Sequence, residues 1–210
     1  MIIHHNKLKE KMKKKLKDIA NITTGYIFRS EVEPNLNGNV NLLKSKTLSG
    51  DEYACITSGD LQRVSVDKIK PENIIKSGDV LFKAKGLTNE ALFIEEVPDN
   101  TLVSSLYFII RVFDKAVIPE FLTWYLNQKI IGVYLKKYAG FTPGATISSV
   151  SKNILEDLTL SIPPLEDQEK IVKFQKLSIK EKKIMDEIYQ KKLALREAVL
   201  KQRLNIKGAI

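Results

Sequence analysis

Lys83, Lys85, Thr88 and Asn89 stand close together in the chain and combine two kinds of chemistry. Ammonium groups attract phosphate, and hydroxyl and amide groups exchange hydrogen bonds with the edges of bases. The apolar run Val80–Ala84 reads as a strand, which puts these residues on the loop that leaves it. A second group, Lys136, Lys137 and Tyr138, leads into Gly140–Thr146. There two glycines let backbone approach a phosphate, and Thr142 and Thr146 add hydroxyls. Thr24, Gly25 and Arg29 make a third group. Lys44, Lys46 and Arg63, with Lys68 and Lys70, are further cations with two open readings, phosphate contact or ordinary solubility.

Bond-making chemistry has few candidates. The histidines, His4 and His5, both precede the folded middle of the chain, which removes the commonest general base. One cysteine and two adjacent histidines do not make a tetrahedral zinc site. No GxxxxGK[ST] or GxGxxG loop is present to cradle phosphates. Glu181-Lys182-Lys183 has the letters of a nuclease (D/E)xK motif but falls in a helical stretch, and Asp79 with Lys83 and Lys85 lacks a second acid. Catalytic residues, metal ligands and cofactors are therefore all expected to be absent. Cys55 reads as a small core hydrophobe, and a lone cysteine suits a reducing compartment. The basic N-terminus lacks the apolar core of a secretory signal, and no run is long enough to span a bilayer. A cytoplasmic protein without membrane contact is the expectation.

Three zones must position these groups. The net charge of +9 is concentrated at the ends: +6 over residues 1–17, −2 over 18–165 and +5 over 166–210. Residues 1–17 read as a basic arm, a solvated helix or disordered segment with phosphate tracking as the rival role. Residues 18–164 read as one mixed α/β domain. Its strands are Val80–Ala84, Ala91–Val97, Leu106–Phe113 and Leu158–Ile162, bounded by Gly, Asp, Asn and Pro. Pro119 opens a helix whose Leu122, Leu126, Ile130 and Val133 share one face, and Gly140 stops it. Trp124 and its neighbouring tyrosines read as core.

From Leu165 to about residue 206 no Gly or Pro interrupts, which allows a helix of roughly 60 Å. Phe174, Leu177, Ile184, Ile188, Leu195 and Val199 form a heptad-like seam broken at Glu181 and Lys191. A second stripe runs through Val172, Ile179, Leu193 and Leu200. Two seams suggest more than one neighbour; pairing with another chain and folding back on its own domain are the two readings. The fold class is α+β: one mixed α/β domain followed by a long coiled-coil helix.

Four segments, in order, resemble the target recognition domains of type I restriction–modification specificity subunits. They are Lys17-Asp18-Ile19-Ala20 through Ile22-Thr23-Thr24-Gly25, then Ser77-Gly78-Asp79-Val80-Leu81-Phe82 through Gly86, and Pro119-Glu120-Phe121-Leu122 with Tyr125-Leu126, followed by Gly140–Ile147. The last and most specific is Leu158–Ile162 with Pro163-Pro164-Leu165-Glu166-Asp167-Gln168-Glu169-Lys170-Ile171. The resemblance covers roughly residues 16–205.

It implies a non-catalytic subunit that binds double-stranded DNA sequence-specifically, recruits two DNA adenine methyltransferase subunits and can recruit a restriction subunit. Family members carry two such domains, and this sequence has one. The implied assembly is a homodimer with antiparallel C-terminal helices, reading an interrupted palindrome. A partial recognition cassette, a stand-alone DNA-binding regulator and a structural coiled-coil adaptor stay open as alternatives.

Overall fold

The computed structural model describes residues 12–29, 32–44, 52–86, 88–138 and 148–204. In chain order the strands and helices are β1 (Met12–Lys15), β2 (Ala20–Thr24), β3 (Val40–Leu43), β4 (Tyr53–Cys55), β5 (Leu61–Val64), β6 (Val80–Lys83), β7 (Lys85–Gly86), β8 (Ala91–Glu96), β9 (Thr101–Leu102) and β10 (Tyr107–Val112). They continue with α1 (Pro119–Leu126), α2 (Lys129–Tyr138), β11 (Ser148–Ser149), α3 (Lys152–Glu156), β12 (Thr159–Ile162) and α4 (Leu165–Arg203). Two units are separable, Met1–Glu169 and Lys170–Ile210.

The first unit is built on a five-stranded sheet of order β2-β10-β6-β8-β4. Its pairs are antiparallel except β4 with β8. Both faces are covered. Phe82, Phe108 and Ile110 pack on one side against Leu122, Leu135, Leu155 and Leu160. Leu81, Ile109 and Ile94 pack on the other against Leu43, Ile56 and Ile75. A strand buried on both faces shows a continuous apolar run rather than alternation. That is why Val80–Lys83, Ala91–Glu96 and Tyr107–Val112 stand out in the sequence. A smaller sheet, β5-β3-β9, covers a third cluster around Val40, Val64 and Leu102.

Three expectations change. Met12–Lys15 is a strand, not a solvated helix or free arm, and it pairs antiparallel with β12. Leu16 behind it is fully buried. Lys14 pairs with Asp114, and Lys15 and Lys17 both reach Asp157 Oδ1 at 2.9 Å. Cross-strand pairing and distant carboxylates thus override the helical composition of this run; residues 1–11 lie outside the described residues.

The single helix expected after Pro119 is two helices. Asn127, at the break, turns its amide away to Ala91: Oδ1 accepts from Ala91 N at 2.8 Å and Nδ2 donates to Ala91 O at 2.9 Å. The phase of α2 then buries Ile131 and Leu135 and leaves Ile130 and Val133 74% and 67% exposed. Trp124 and Tyr125 do pack with Phe121, and the Tyr125 hydroxyl accepts a bond from Ser161 N.

Cys55 is exposed rather than core, because β4 is the outermost strand of the sheet; its thiol lies 3.5 Å from Glu95 Oε2.

α4 begins after Pro163-Pro164, with Glu166 and Asp167 in its first turn, where acids suit the helix dipole. Gln168 in that turn is fully buried. Its Oε1 accepts from Ile118 N at 2.9 Å, and its Nε2 donates to Ala116 O and Pro163 O, each at 2.8 Å. The second unit is the rest of α4, in which no described residue is buried.

Candidate nucleic-acid interface

The Lys83–Asn89 segment, expected as a loop, is partly strand: Lys83 ends β6, and Lys85 and Gly86 form β7, because backbone pairing continues past Ala84. β6 itself starts from an anchored turn. Asp79 is buried, accepts from Lys76 N and takes both Nε and Nη2 of Arg111 at 2.8 and 2.7 Å. The carboxylate beside it raises the Arg111 pKa above its ordinary value. Fork-to-fork geometry of this kind fixes orientation as well as charge. The pair explains why Ser77-Gly78-Asp79 precedes the strand: Gly78 takes φ +90°, which the turn demands, and Asp79 holds the strand end.

At the far end, Lys83 N bonds Glu90 O at 2.8 Å, and Ala84 N and Lys85 N both reach Leu106 O. β7 then pairs with β11, Lys85 opposite Ser149 and Gly86 opposite Ser148. The loop is therefore held by three separate parts of the chain. Asn89 serves this scaffold, its amide donating to Lys83 O at 2.9 Å and Ala84 O at 3.4 Å. Thr88 donates to Glu90 Oε1 at 2.6 Å. Lys83 is half-buried and Lys85 is exposed.

α2 joins the same region. Asn127 ties its approach to Ala91, the first residue of β8, and the chain beyond α2 returns to β7 as β11. Lys136, Lys137 and Tyr138 are exposed on its last turn. The Lys137 ammonium sits 5.5 Å from the Tyr138 ring centroid, and Tyr138 packs on Tyr134 at 4.5 Å. Thr142, Thr146 and Lys46 lie outside the described residues.

The remaining candidates lie elsewhere. Arg29 lines an open cleft of about 1210 Å³ with Tyr26, Phe28, Lys68 and Lys70; Glu33, Asp67 and Glu72 balance its charge. Thr24 is half-buried at the end of β2, and its carbonyl accepts from Asn73. Lys44 donates to Gly59 O at 3.3 Å, and Arg63 donates to Gly38 O and Asn41 Oδ1, so both brace the β3–β5 region. Sequence reasoning missed Asn127, Asp79 and Arg111 as positioning groups, because their partners are 32 to 36 residues away.

On α4, Phe174, Leu177, Ile184, Ile188, Leu195 and Val199 are 42% to 74% exposed. At 3.6 residues per turn they fall within an arc of about 80°. Leu200 of the second stripe is also exposed, and Val172, Ile179 and Leu193 are half-buried. Met185, Tyr189 and Leu204 add exposed apolar surface that the sequence reading did not single out. Among the described residues, no cluster of three or more His, Cys, Asp or Glu could hold a metal, and no helix is long and apolar enough to cross a membrane.

The family model for the type I restriction modification DNA specificity domain matches residues 9–191. The type I restriction enzyme HindI specificity subunit of Haemophilus influenzae is 31% identical over 99 residues, which cover 47% of this chain and 21% of that protein. The HsdS subunit from Thermoanaerobacter tengcongensis has a TM-score of 0.54 at 19% identity, covering 90% of this chain and 39% of its own. The type I restriction–modification S subunit from M. genitalium gives 0.53 at 13% identity, covering 94% and 46%. At these identities the structural likeness is one of fold. The chain spans less than half the length of each relative.

Proposed function

The chain belongs to the type I restriction–modification DNA specificity family, and from that premise we propose that it reads DNA sequence for a methyltransferase complex. The α/β unit recognises one half of a split site. A second copy, paired antiparallel through α4, supplies the other half, so the site is an interrupted palindrome with a gap set by the helix pair. Partner subunits methylate adenine, and a restriction subunit joins when cleavage follows. This chain selects the site and makes no bonds itself.

The observation that carries the reading is α4. Its 39 residues extend about 58 Å at 1.5 Å per residue. Its main seam exposes Phe174, Leu177, Ile184, Ile188, Leu195 and Val199, the pattern of a helix that buries one side against another. The seam through Leu200, beside Tyr189, gives the modification subunit a second surface. A helix with no partner would leave both seams in water.

Co-expression with the modification subunit of the same system, followed by mapping of methylated adenines, tests this reading. Methylation at an inverted, gapped motif that disappears without this chain is the expected result. Methylation that is independent of the chain contradicts it.

A further inference from the structure

The exposed side of α2 is unusual for a surface helix. Lys129, Ile130, Val133, Lys136 and Lys137 fall within an arc of about 120°. The three lysines are exposed, and the two β-branched residues between them are among the most exposed apolar side chains of the first unit. Ile131 and Leu135 already supply the helix with its core contacts. Burial within the unit therefore does not account for Ile130 and Val133.

Charge narrows what covers them. No acidic residue occurs between Glu120 and Glu156, so this helix and the segments flanking it carry cations alone. Three ammonium groups around a small apolar centre fit a partner with dense negative charge and exposed carbon. Duplex DNA has both, in its phosphates and in its deoxyribose and thymine methyl groups. Position agrees with charge. Asn127, two residues before Lys129, is doubly bonded to Ala91, where the Lys85 loop ends, and β11 returns beside Lys85 itself. The start of α2 is thus tied to the end of the loop through Asn127 and Ala91, and β11 braces the loop beside Lys85.

We propose that this face of α2 lies against duplex DNA, with Lys129, Lys136 and Lys137 on phosphates and Ile130 and Val133 against sugar or thymine methyl carbon. The inference rests on the DNA-reading function proposed above and adds Lys129, Ile130 and Val133 to the interface.

The test measures affinity of the full chain for a 40-base-pair mixed-sequence duplex across a salt series. Each lost phosphate contact lowers the slope of log K against log salt by about 0.9. Lys129→Gln/Lys136→Gln/Lys137→Gln should therefore flatten the slope by about 2.7. Ile130→Ser/Val133→Ser should leave the slope unchanged and weaken binding to the sequence enriched from a randomised duplex pool by roughly tenfold. Thermal melting checks that the variants fold; should the triple variant unfold, Lys129→Gln alone must lower the slope by about 0.9. A wild-type slope in a folded lysine variant overturns the inference. So does intact DNA binding with lost co-purification of the modification subunit, which would assign the face to a protein. Failure of the wild-type chain itself to bind duplex at low salt would overturn the DNA-reading function as well.

Discussion

Apolar side chains meet opposite fates in the two units. In the first, Leu81, Phe82, Ile109 and Ile110 are closed in by helices on one sheet face and by loops and short strands on the other. On α4 beyond Glu169, residues of the same types remain open along one side. Burying one such side chain contributes about 1.5–3 kcal/mol. The first unit gains this within its own chain, whereas α4 gains it only on association. On the function proposed above, recognition and assembly are separable: the first unit has its own core, and α4 would be stabilised by the partner proposed for it.

The sharpest way to break that contrast is to charge the α4 seam. Ile188→Asp with Leu195→Asp should weaken self-association by at least about 100-fold, two unpaired charges being costly in a dry seam. The melting of the α/β unit should stay unchanged. Sedimentation velocity and circular dichroism read the two effects, and an intact dimer would place the interface elsewhere.

Within the first unit, Gln168→Ala should lower stability by about 2–4 kcal/mol, since it strips partners from three backbone groups around a buried site. Chemical denaturation measures it, and a loss under about 1 kcal/mol would mean that water substitutes for the amide.

A smaller loss, about 2 kcal/mol, should follow Arg111→Met. A fully buried broken pair would lose more, but the Arg111 side chain is 36% exposed and water can reach Asp79 in its place. Denaturant midpoints for Arg111→Met and for the double variant with Asp79→Asn check this; a double variant less stable than the single one would contradict the pairing.

The smallest effect concerns β1. Lys17 and Lys15 hold the Asp157 carboxyl below its usual range, and Lys14 does the same for Asp114. A carboxylate with a lowered folded-state pKa contributes stability above its unfolded pKa and loses it as pH falls through the folded value. Protection of the Met12–Lys15 amides against hydrogen exchange, corrected for intrinsic rates, should decline as pH drops below the ordinary carboxylate range. Protection that is flat with pH would show that strand pairing alone retains β1.

Legibility in the sequence followed the range of the forces involved. The α4 helix is local: an unbroken stretch without Gly or Pro is enough to extend it, and its seam is visible as spacing. The central strands were legible because sheet burial on both faces leaves continuous apolar runs. β1 was not, because seven lysines dominate residues 1–17 while the pairing that makes a strand comes from β12 and from Asp114 and Asp157. The α1–α2 break was equally hidden, since Asn127 reads as an ordinary helical residue until Ala91 lies opposite it.

The candidate site shows the same division. Lys85 could be picked from its place after a strand, but the loop-internal bonds of Thr88 and Asn89 could not. For Lys129, placed on DNA only by the proposal above, the sequence carries one signal: the absence of acid between Glu120 and Glu156.

Selection of bound duplexes from a randomised pool by the purified full chain tests the central claim most directly. Enrichment of two inverted half-sites at one fixed separation is the expected result, with seam-charged Ile188→Asp/Leu195→Asp protein retaining at most the half-site. Recovery of unselected sequence, or of one undivided motif indifferent to the seam variant, would contradict it.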